Sequence, residues 1–319
     1  MNRRIGPFER IAVFGGLTVD RLATSREAPV AGASNPGHTR TAPGGVGLNV
    51  AANLTRLGHP VRLVARIGTD RDGDAAVEAV AALGIDTSGI ARTAAAPTAT
   101  YTATFDDRGG LIVGIADMDA YDTMVPADIA GAAAAARADD LWVIDANLPA
   151  EVLDFLIEEA TASGKPLAAL TVSPAKAVRL KSLLDRLALL FTNRREAAAL
   201  LGLAPEDHRP TAAELAAELS RLPGPAVVLS NSADPLVVAV AGEVRRLAPL
   251  RAAVMSVNGA GDALAAGTIH GIAVGRTLAE AVISGLATAA LTVESESTTS
   301  PLVSRQALAD RIASQGNGT

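Results

Sequence analysis

The chain has no cysteine among its 319 residues. That excludes a disulfide framework, a thiolate nucleophile and a cysteine-ligated metal, and it fits a reducing compartment. Basic residues are outnumbered, 28 Lys and Arg against 34 Asp and Glu, giving a net charge of -6. A broad phosphate-tracking surface for nucleic acid is therefore not expected, although one local pocket can still take a small anion. Long apolar runs are also missing. Ala130 to Trp142 is interrupted by Arg137, Asp139 and Asp140, so no stretch is expected to cross a bilayer. Met1 to Pro7 carries two arginines with no apolar region behind them, unlike a secretory signal. The expectation is a cytoplasmic protein with neither a membrane nor a nucleic-acid partner. Aromatics are scarce at 3%, so the 49% hydrophobic fraction rests on aliphatic residues, much of it Ala. Over this length that suffices for one large domain, or a large domain with a small one.

A dinucleotide fingerprint is absent as well. Ile11-Ala12-Val13-Phe14 reads as a buried strand running into Gly15-Gly16, but no third glycine follows at the required spacing and no helix opens there. What the chain does carry is a regular alternation. Val61 to Ile67, Leu141 to Ile144, Leu167 to Val172, Leu187 to Phe191 and Ala226 to Leu229 read as strands. Leu48 to Leu57, Asp74 to Leu83, Ala150 to Ser163, Arg194 to Leu201, Thr211 to Leu222, Leu278 to Thr292 and Ser304 to Ile312 read as helices. Arg21 to Thr41 is polar and mostly extended or loop. Thr98 to Phe105 and Leu111 to Ala116 form a hairpin about the Asp106–Gly110 turn, a small sheet outside the main layer. Leu236 to Val240 reads as an edge hairpin strand. Such alternation predicts an α/β fold, a doubly wound, mostly parallel sheet with helices on both faces. Ligands in these folds sit beyond the carboxyl ends of the strands. Asp20, Gly44-Gly45, Asn147, Asn193 and the 259–262 turn all fall at or near such ends.

The stretch that organises the rest is Val257-Asn258-Gly259-Ala260-Gly261-Asp262-Ala263. Val254 to Val257 reads as a strand and Ala263 to Val274 as a helix, with a glycine turn between. Two glycines permit a sharp turn, and N–H groups at a helix start make a seat for a phosphate or oxyanion. Asp262 in that seat can cap the helix, or it can take a proton from an alcohol while the amides hold a phosphoryl group. Local pattern leaves both open.

Gly259-Ala260-Gly261-Asp262 resembles the carboxyl-terminal signature of the ribokinase-like (PfkB) sugar and nucleoside kinases. Pro43-Gly44-Gly45-Val46-Gly47-Leu48-Asn49-Val50-Ala51 resembles their amino-terminal one, and Gly15-Gly16 with Asp20, and Asn193-Arg194-Arg195-Glu196, match two further positions. The matches run in order over roughly residues 11–312, with residues 1–10 and 313–319 left as flexible ends. Within the family the chain is similar to the pseudouridine kinases in Ser34-Asn35-Pro36-Gly37, in Asp117-Met118 and in Asp145-Ala146-Asn147.

The resemblance implies a three-layer α/β/α sandwich with a small β lid formed by strands within about 20–40 and 98–116, and a homodimer through that lid. It implies ATP-dependent phosphorylation of the ribose 5'-hydroxyl of pseudouridine. Asp20, Gly44, Gly45 and Asn49 would meet the sugar. Thr100, Tyr101, Asp117, Met118 and Asn147 would meet the nucleoside. Asp262 would be the base, with N–H groups of Gly259, Ala260 and Gly261 on the transferring phosphoryl. Beside a helix N-terminus it is expected to be a weak base, tolerable where the proton leaves late. Asn193, Ser230, Asn231, Asn258 and Gly261 would touch ATP. Glu196 would reach Mg²⁺ through water, its bland alternative being a cap partner on the surface.

Three departures from the family pattern stand out. Ser230-Asn231-Ser232-Ala233-Asp234-Pro235 holds no glycine where a nucleotide loop is expected. Ser256-Val257-Asn258 lacks an Asp that helps relatives to hold K⁺, so K⁺ dependence stays open. Thr171-Val172-Ser173-Pro174 lacks the Asp that similar kinases carry before the proline. Two alternatives are therefore kept: a kinase of this fold acting on another nucleoside or a free sugar, and a non-catalytic nucleoside-binding homologue.

Overall fold

The structure, a computed structural model, describes residues 5–221 and 224–316. Expectations for residues 1–4, Leu222 and 317–319 fall outside the described residues. The first half of the chain forms β1 (Ile11–Phe14), β2 (Thr18–Ser25), β3 (Gly37–Gly44), α1 (Val46–Arg56), β4 (Val61–Gly68), α2 (Arg71–Ala82), β5 (Asp86–Thr93), β6 (Thr100–Phe105) and β7 (Leu111–Asp117). The middle forms α3 (Asp119–Asp122), α4 (Pro126–Ala136), β8 (Leu141–Asp145), α5 (Ala150–Ala162), β9 (Leu167–Leu170), α6 (Pro174–Ala177), a 3-10 segment (Val178–Arg186), β10 (Leu189–Asn193) and α7 (Arg194–Leu200). The remainder forms α8 (Ala212–Arg221), β11 (Ala226–Ser230), β12 (Leu236–Val240), β13 (Glu243–Leu247), α9 (Ala260–Ala273), α10 (Leu278–Val293) and α11 (Arg305–Gly316).

Nine strands make the main sheet, in the order β13-β12-β11-β10-β9-β8-β1-β4-β5. It is parallel from β5 to β11 and antiparallel only at the β12–β13 edge. Its central strands are apolar at consecutive positions because both faces are covered. Along β1, Ala12 and Phe14 enter one core while Ile11 and Val13 enter the other. The first core packs α4, α5, α7 and α8, and the second packs α1, α9 and α10. The α9–α10 contact is very close: a Cβ on Gly267 would lie 2.2 Å from Thr288 Oγ1, and one on Gly285 would lie 2.2 Å from Thr268 Oγ1. That contact fixes the helix whose first turn carries Asp262.

The lid is a second sheet of order β3-β2-β6-β7, with β2 and β3 antiparallel through Thr18↔Gly44 to Ser25↔Gly37. The polar 21–41 stretch is thus two paired strand ends, 21–25 and 37–41, joined by the loop 26–36. Several boundaries move for local reasons. α2 starts before Asp74 because the Asp70 side chain accepts from Gly73 N at 2.8 Å. β9 stops at Leu170: Val172 has φ 67 and Ser173 N donates to Thr171 O at 2.7 Å, a γ-turn that ends the strand. Strand β5 and helices α3 and α4 were not resolved by periodicity. Leu236–Val240 is not the edge, since β13 pairs outside it.

The largest correction concerns Val254-Met255-Ser256-Val257. It forms no strand: Met255 N and Ser256 N both turn to Val293 O, and the Val257 side chain is 71% exposed. Before β1, Phe8 N donates to Ala273 O at 3.1 Å, and the N–H groups of Glu9 and Arg10 donate to Asp140 Oδ2 at 2.9 and 3.0 Å. No helix among the described residues is long and apolar enough to cross a membrane.

Candidate active site

Gly259 caps α9 in the left-handed region, φ 78, and a Cβ there would lie 2.0 Å from Thr298 O. Only glycine satisfies both conditions. Ala260 N is drawn weakly to Val257 O at 3.3 Å, whereas a Cβ on Gly261 would meet open space. Gly261 and Asp262 line a cavity of about 200 Å³ together with Val46, Thr171, Asn193, Glu196 and Ser230. The first turn of α9 therefore looks into a hollow whose far wall is built by β9, β10 and β11.

Asp262 Oδ2 accepts from Asn49 Nδ2 at 2.8 Å. Burial pushes the Asp262 pKa up to about 7, against the donation from Asn49 and with help from the negative charges of Asp145 and Glu196. The weak base expected beside a helix N-terminus is thus corrected. Loss of hydration outweighs the helix dipole.

Glu196 is buried, 7% exposed, so it is not a surface residue. With Asn193 it makes a reciprocal cap: Glu196 N donates to Asn193 Oδ1 at 3.0 Å and Asn193 N donates to Glu196 Oε2 at 3.1 Å. Asn193 Nδ2 donates to Glu196 Oε1 at 2.7 Å, and Thr171 Oγ1 donates to Oε2. Oε2 accepts two hydrogen bonds and Oε1 one, so Oε1 keeps acceptor capacity. This donor set fits a metal-bound water better than direct coordination. No group of three or more His, Asp or Glu placed for a metal occurs among the described residues. Mg²⁺ here would be held chiefly by phosphate and water, as it commonly is.

A second cavity, about 340 Å³, lies on the other side of the Asn49–Asp262 hydrogen bond and is lined by Asp20, Arg40, Asn49 and Arg56, with Leu22 and Leu48. Asn49 Oδ1 is buried without a partner. Asp20 Oδ1 accepts from Thr18 Oγ1 at 3.0 Å, and burial raises its pKa despite that bond and Arg40. The glycines at 44 and 45 serve close approach within the protein: a Cβ on Gly44 would lie 2.2 Å from Asp20 Oδ2, and one on Gly45, φ 101, 2.4 Å from Gly16 O. Their lack of side chains is explained by these intramolecular contacts.

Other expected residues are dispersed. Thr100, Tyr101, Asp117, Met118, Asn147, Asn231 and Asn258 line neither of these two cavities. Tyr101 is in register beside Asp20 and so shares its lid face, while Thr100 pairs with Asp117. Met118 is half-buried against the first core. Ser230 Oγ reaches Thr192 O at 3.4 Å. In the glycine-free loop Ser232 takes φ 54, and Asp234 N closes the turn on Asn231 O at 3.0 Å. Serine there adopts a conformation that glycine adopts more cheaply.

Sequence reading missed three groups. Asp145, 1% exposed, accepts from Gly16 N and Asn147 N, both at 2.8 Å, and burial raises its pKa. Lys176 Nζ donates to Asn147 Oδ1 at 2.6 Å, and burial lowers its pKa. Tyr121 OH accepts from Leu17 N at 2.6 Å and fixes the turn after β1. The strand-end position of Asp145 was a usable signal. Nothing local marks Lys176 or Tyr121.

A family model described as pfkB family carbohydrate kinase matches residues 9–305. The pseudouridine kinase of Escherichia coli (strain K12) is 28% identical over 292 residues, covering 91% of this chain and 92% of that protein. The solved structure of a carbohydrate kinase from Agrobacterium tumefaciens is 36% identical, with a TM-score of 0.84 over 96% of this chain and 97% of that one. An Arabidopsis thaliana ribokinase complexed with ribose and ATP shares the fold, with a TM-score of 0.81 at 19% identity over 96% of this chain and 99% of that one. The α/β sandwich with its lid is therefore ribokinase-like, and the chain belongs to the pfkB family of carbohydrate kinases.

Proposed function

We propose that this protein is an ATP-dependent pseudouridine kinase that transfers the γ-phosphoryl group of ATP to the ribose 5'-hydroxyl. The observation that carries the kinase chemistry is a half-buried carboxylate, Asp262, its pKa raised to about 7 at the start of α9 and bridged to Asn49. The pseudouridine assignment rests on the similarity to the Escherichia coli enzyme, which spans nine-tenths of both chains.

In this reading Asp20 accepts from ribose hydroxyls, and the unpartnered Oδ1 of Asn49 accepts a further one. Gly44 and Gly45 hold that wall in place. Asp262 orients the 5'-hydroxyl and takes its proton as the new O–P bond forms and the bond from the γ-phosphorus to the β–γ bridging oxygen breaks, releasing ADP. N–H groups of Gly259, Ala260 and Gly261 stabilise the charge on the phosphoryl oxygens. Asn193, Ser230, Asn231 and Asn258 border the nucleotide. Glu196 would hold a water of bound Mg²⁺, which would supply charge neutralisation on the phosphates. Thr100, Tyr101, Asp117, Met118 and Asn147 meet the base after the lid closes, since they line neither of the two cavities described. Leu111, Ile112, Val113 and Ile115 on β7 are exposed, and a second copy joined through the lid would cover them. A cytoplasmic location accords with the lack of cysteine.

A second reading, a kinase for another nucleoside or a free sugar, is favoured by the lack of the expected base-contacting residues in the lining of the two cavities described. Product analysis with ATP, Mg²⁺ and a panel of pseudouridine, uridine, cytidine, adenosine, ribose and fructose, with and without K⁺, separates the two. Preferential formation of pseudouridine 5'-phosphate supports the proposal. Equal or better use of ribose or fructose sinks it. Binding of nucleoside without any transfer supports a non-catalytic homologue.

A further inference from the structure

Thr171 directly follows β9, is 1% exposed, and lines the cavity of about 200 Å³ with Asp262 and Glu196. Its hydroxyl lies within reach of three acceptors: Phe191 O and Thr192 Oγ1, both at 3.2 Å, and Glu196 Oε2. A hydroxyl has one proton, and a charged acceptor makes the strongest bond with it. Phe191 O is in any case already bonded by Thr171 N at 3.2 Å. The proton therefore goes to Glu196. A buried carboxylate needs such donors. An acidic residue at 171 would instead set a second carboxylate against the first.

Asn193 does not distinguish the two oxygens of Glu196. Its backbone N–H donates to Oε2 at 3.1 Å and its Nδ2 donates to Oε1 at 2.7 Å. The Thr171 bond breaks that symmetry, filling Oε2 and leaving Oε1 with acceptor capacity. The backbone beside Thr171 is unusual as well. Val172 takes φ 67, a left-handed conformation that a β-branched residue adopts at a cost. Ser173 N closes the turn on Thr171 O at 2.7 Å. Such strain persists where the surroundings over-determine it, often at ligand sites. Here the turn leaves Thr171 as the last residue in line with β9, beside Thr192 at the end of β10.

We propose that Thr171 is a positioning residue: its hydroxyl holds Glu196 Oε2, so that Oε1 is the oxygen that accepts from a water of a Mg²⁺–nucleotide complex. The proposal rests on the kinase reading for the role of Glu196, and it does not depend on which acceptor is phosphorylated. It gives the Thr171–Pro174 segment, which departs from the family pattern, a part in the site.

Calorimetric titration of the full chain with ADP, in excess Mg²⁺ and in EDTA, tests it. Wild type is expected to bind ADP more tightly with Mg²⁺ than without. Thr171→Val is close in shape and lacks the donor. It is expected to weaken the Mg²⁺-dependent binding about 10-fold and to leave affinity in EDTA close to that of wild type. Thr171→Ser restores the donor and should recover most of the Mg²⁺-dependent gain. In turnover, half-saturation by Mg²⁺ should rise more in Thr171→Val than kcat falls. An equal gain from Mg²⁺ in wild type and Thr171→Val, both folded by circular dichroism, overturns the proposal. So does an equal loss of ADP affinity with and without Mg²⁺, the mark of a merely structural role. So does a wild type with no gain from Mg²⁺. A wild type that shows the gain, loses it in Thr171→Val and phosphorylates no acceptor sinks the kinase reading and supports the proposal, which keeps the two failures distinguishable.

Discussion

Asn49 Nδ2 donates to Asp262 Oδ2 at 2.8 Å across 213 residues of chain. The bond joins the first turns of α1 and α9, and it ties the wall of one cavity to the wall of the other. Each residue comes from a different glycine-rich segment. Neither segment makes a site alone.

Asp262→Asn removes the proton acceptor while keeping the shape and a hydrogen-bonding end. Phosphoryl transfer is expected to fall about 10²- to 10⁴-fold. Binding of nucleoside measured by calorimetry should survive. Turnover close to wild type would rule out Asp262 as the base.

The pH profile should respond to two neighbours in opposite directions. A base that must be ionised gives kcat/KM an acid limb near pH 7. Asn49 donates to the ionised carboxylate and holds its pKa down, so Asn49→Ala should move that limb to higher pH. The negative charge of Glu196 raises the Asp262 pKa, so Glu196→Gln should move the limb to lower pH while the helix cap on Asn193 is retained. Shifts of the same sign in both variants would contradict this electrostatic account.

Stability should lose ground at both ends of the pH range. Asp262 is raised from 3.8 to about 7, so its contribution is full below pH 3.8 and lost as pH rises through 7. His270 is lowered from 6.5 to about 4 by burial, beside His59 at 2.8 Å and under the charge of Arg305. Its contribution is present above pH 6.5 and lost as pH falls toward 4. Asp262→Asn should therefore raise Tm at pH 8, by about 2–4 °C for each kcal/mol recovered, and change it little at pH 5. His270→Gln should flatten the acid side. Calorimetric melting across pH 4–9 checks both.

Gly259→Ala places a Cβ 2.0 Å from Thr298 O in a residue with φ 78. The left-handed backbone alone costs about 1–2 kcal/mol, and the Thr298 loop must also move. A lower urea midpoint and a collapse of activity are expected together. A variant with unchanged midpoint would show that this turn is more adaptable than its packing implies.

Much of the fold was legible because it follows from local pattern. Apolar runs gave the central strands, spacing gave the long helices, the glycines at 44 and 45 marked the turn after a lid strand, and Gly259 marked the start of α9. Elements without such a signature escaped. β5 reads Asp-Thr-Ser-Gly-Ile-Ala-Arg-Thr and is held by pairing with β4. Val254 to Val257 has a strand composition, but Met255 N and Ser256 N bond to Val293 O at the end of α10 and no strand forms.

The sequence by itself determined most of the alternating elements, the doubly wound sheet and the glycine turn that carries Asp262, through periodicity and short spacing, which a chain carries wherever it folds. Its resemblance to the ribokinase-like kinases implied the lid and pointed to Asn49, Asp20 and Glu196. Only the tertiary structure decided their chemistry. The raised pKa of Asp262, the burial of Glu196, the Lys176–Asn147 contact and the Thr171–Glu196 hydrogen bond all arise from desolvation and from neighbours distant in the chain. Those terms depend on what surrounds a group in space, and no local pattern encodes them.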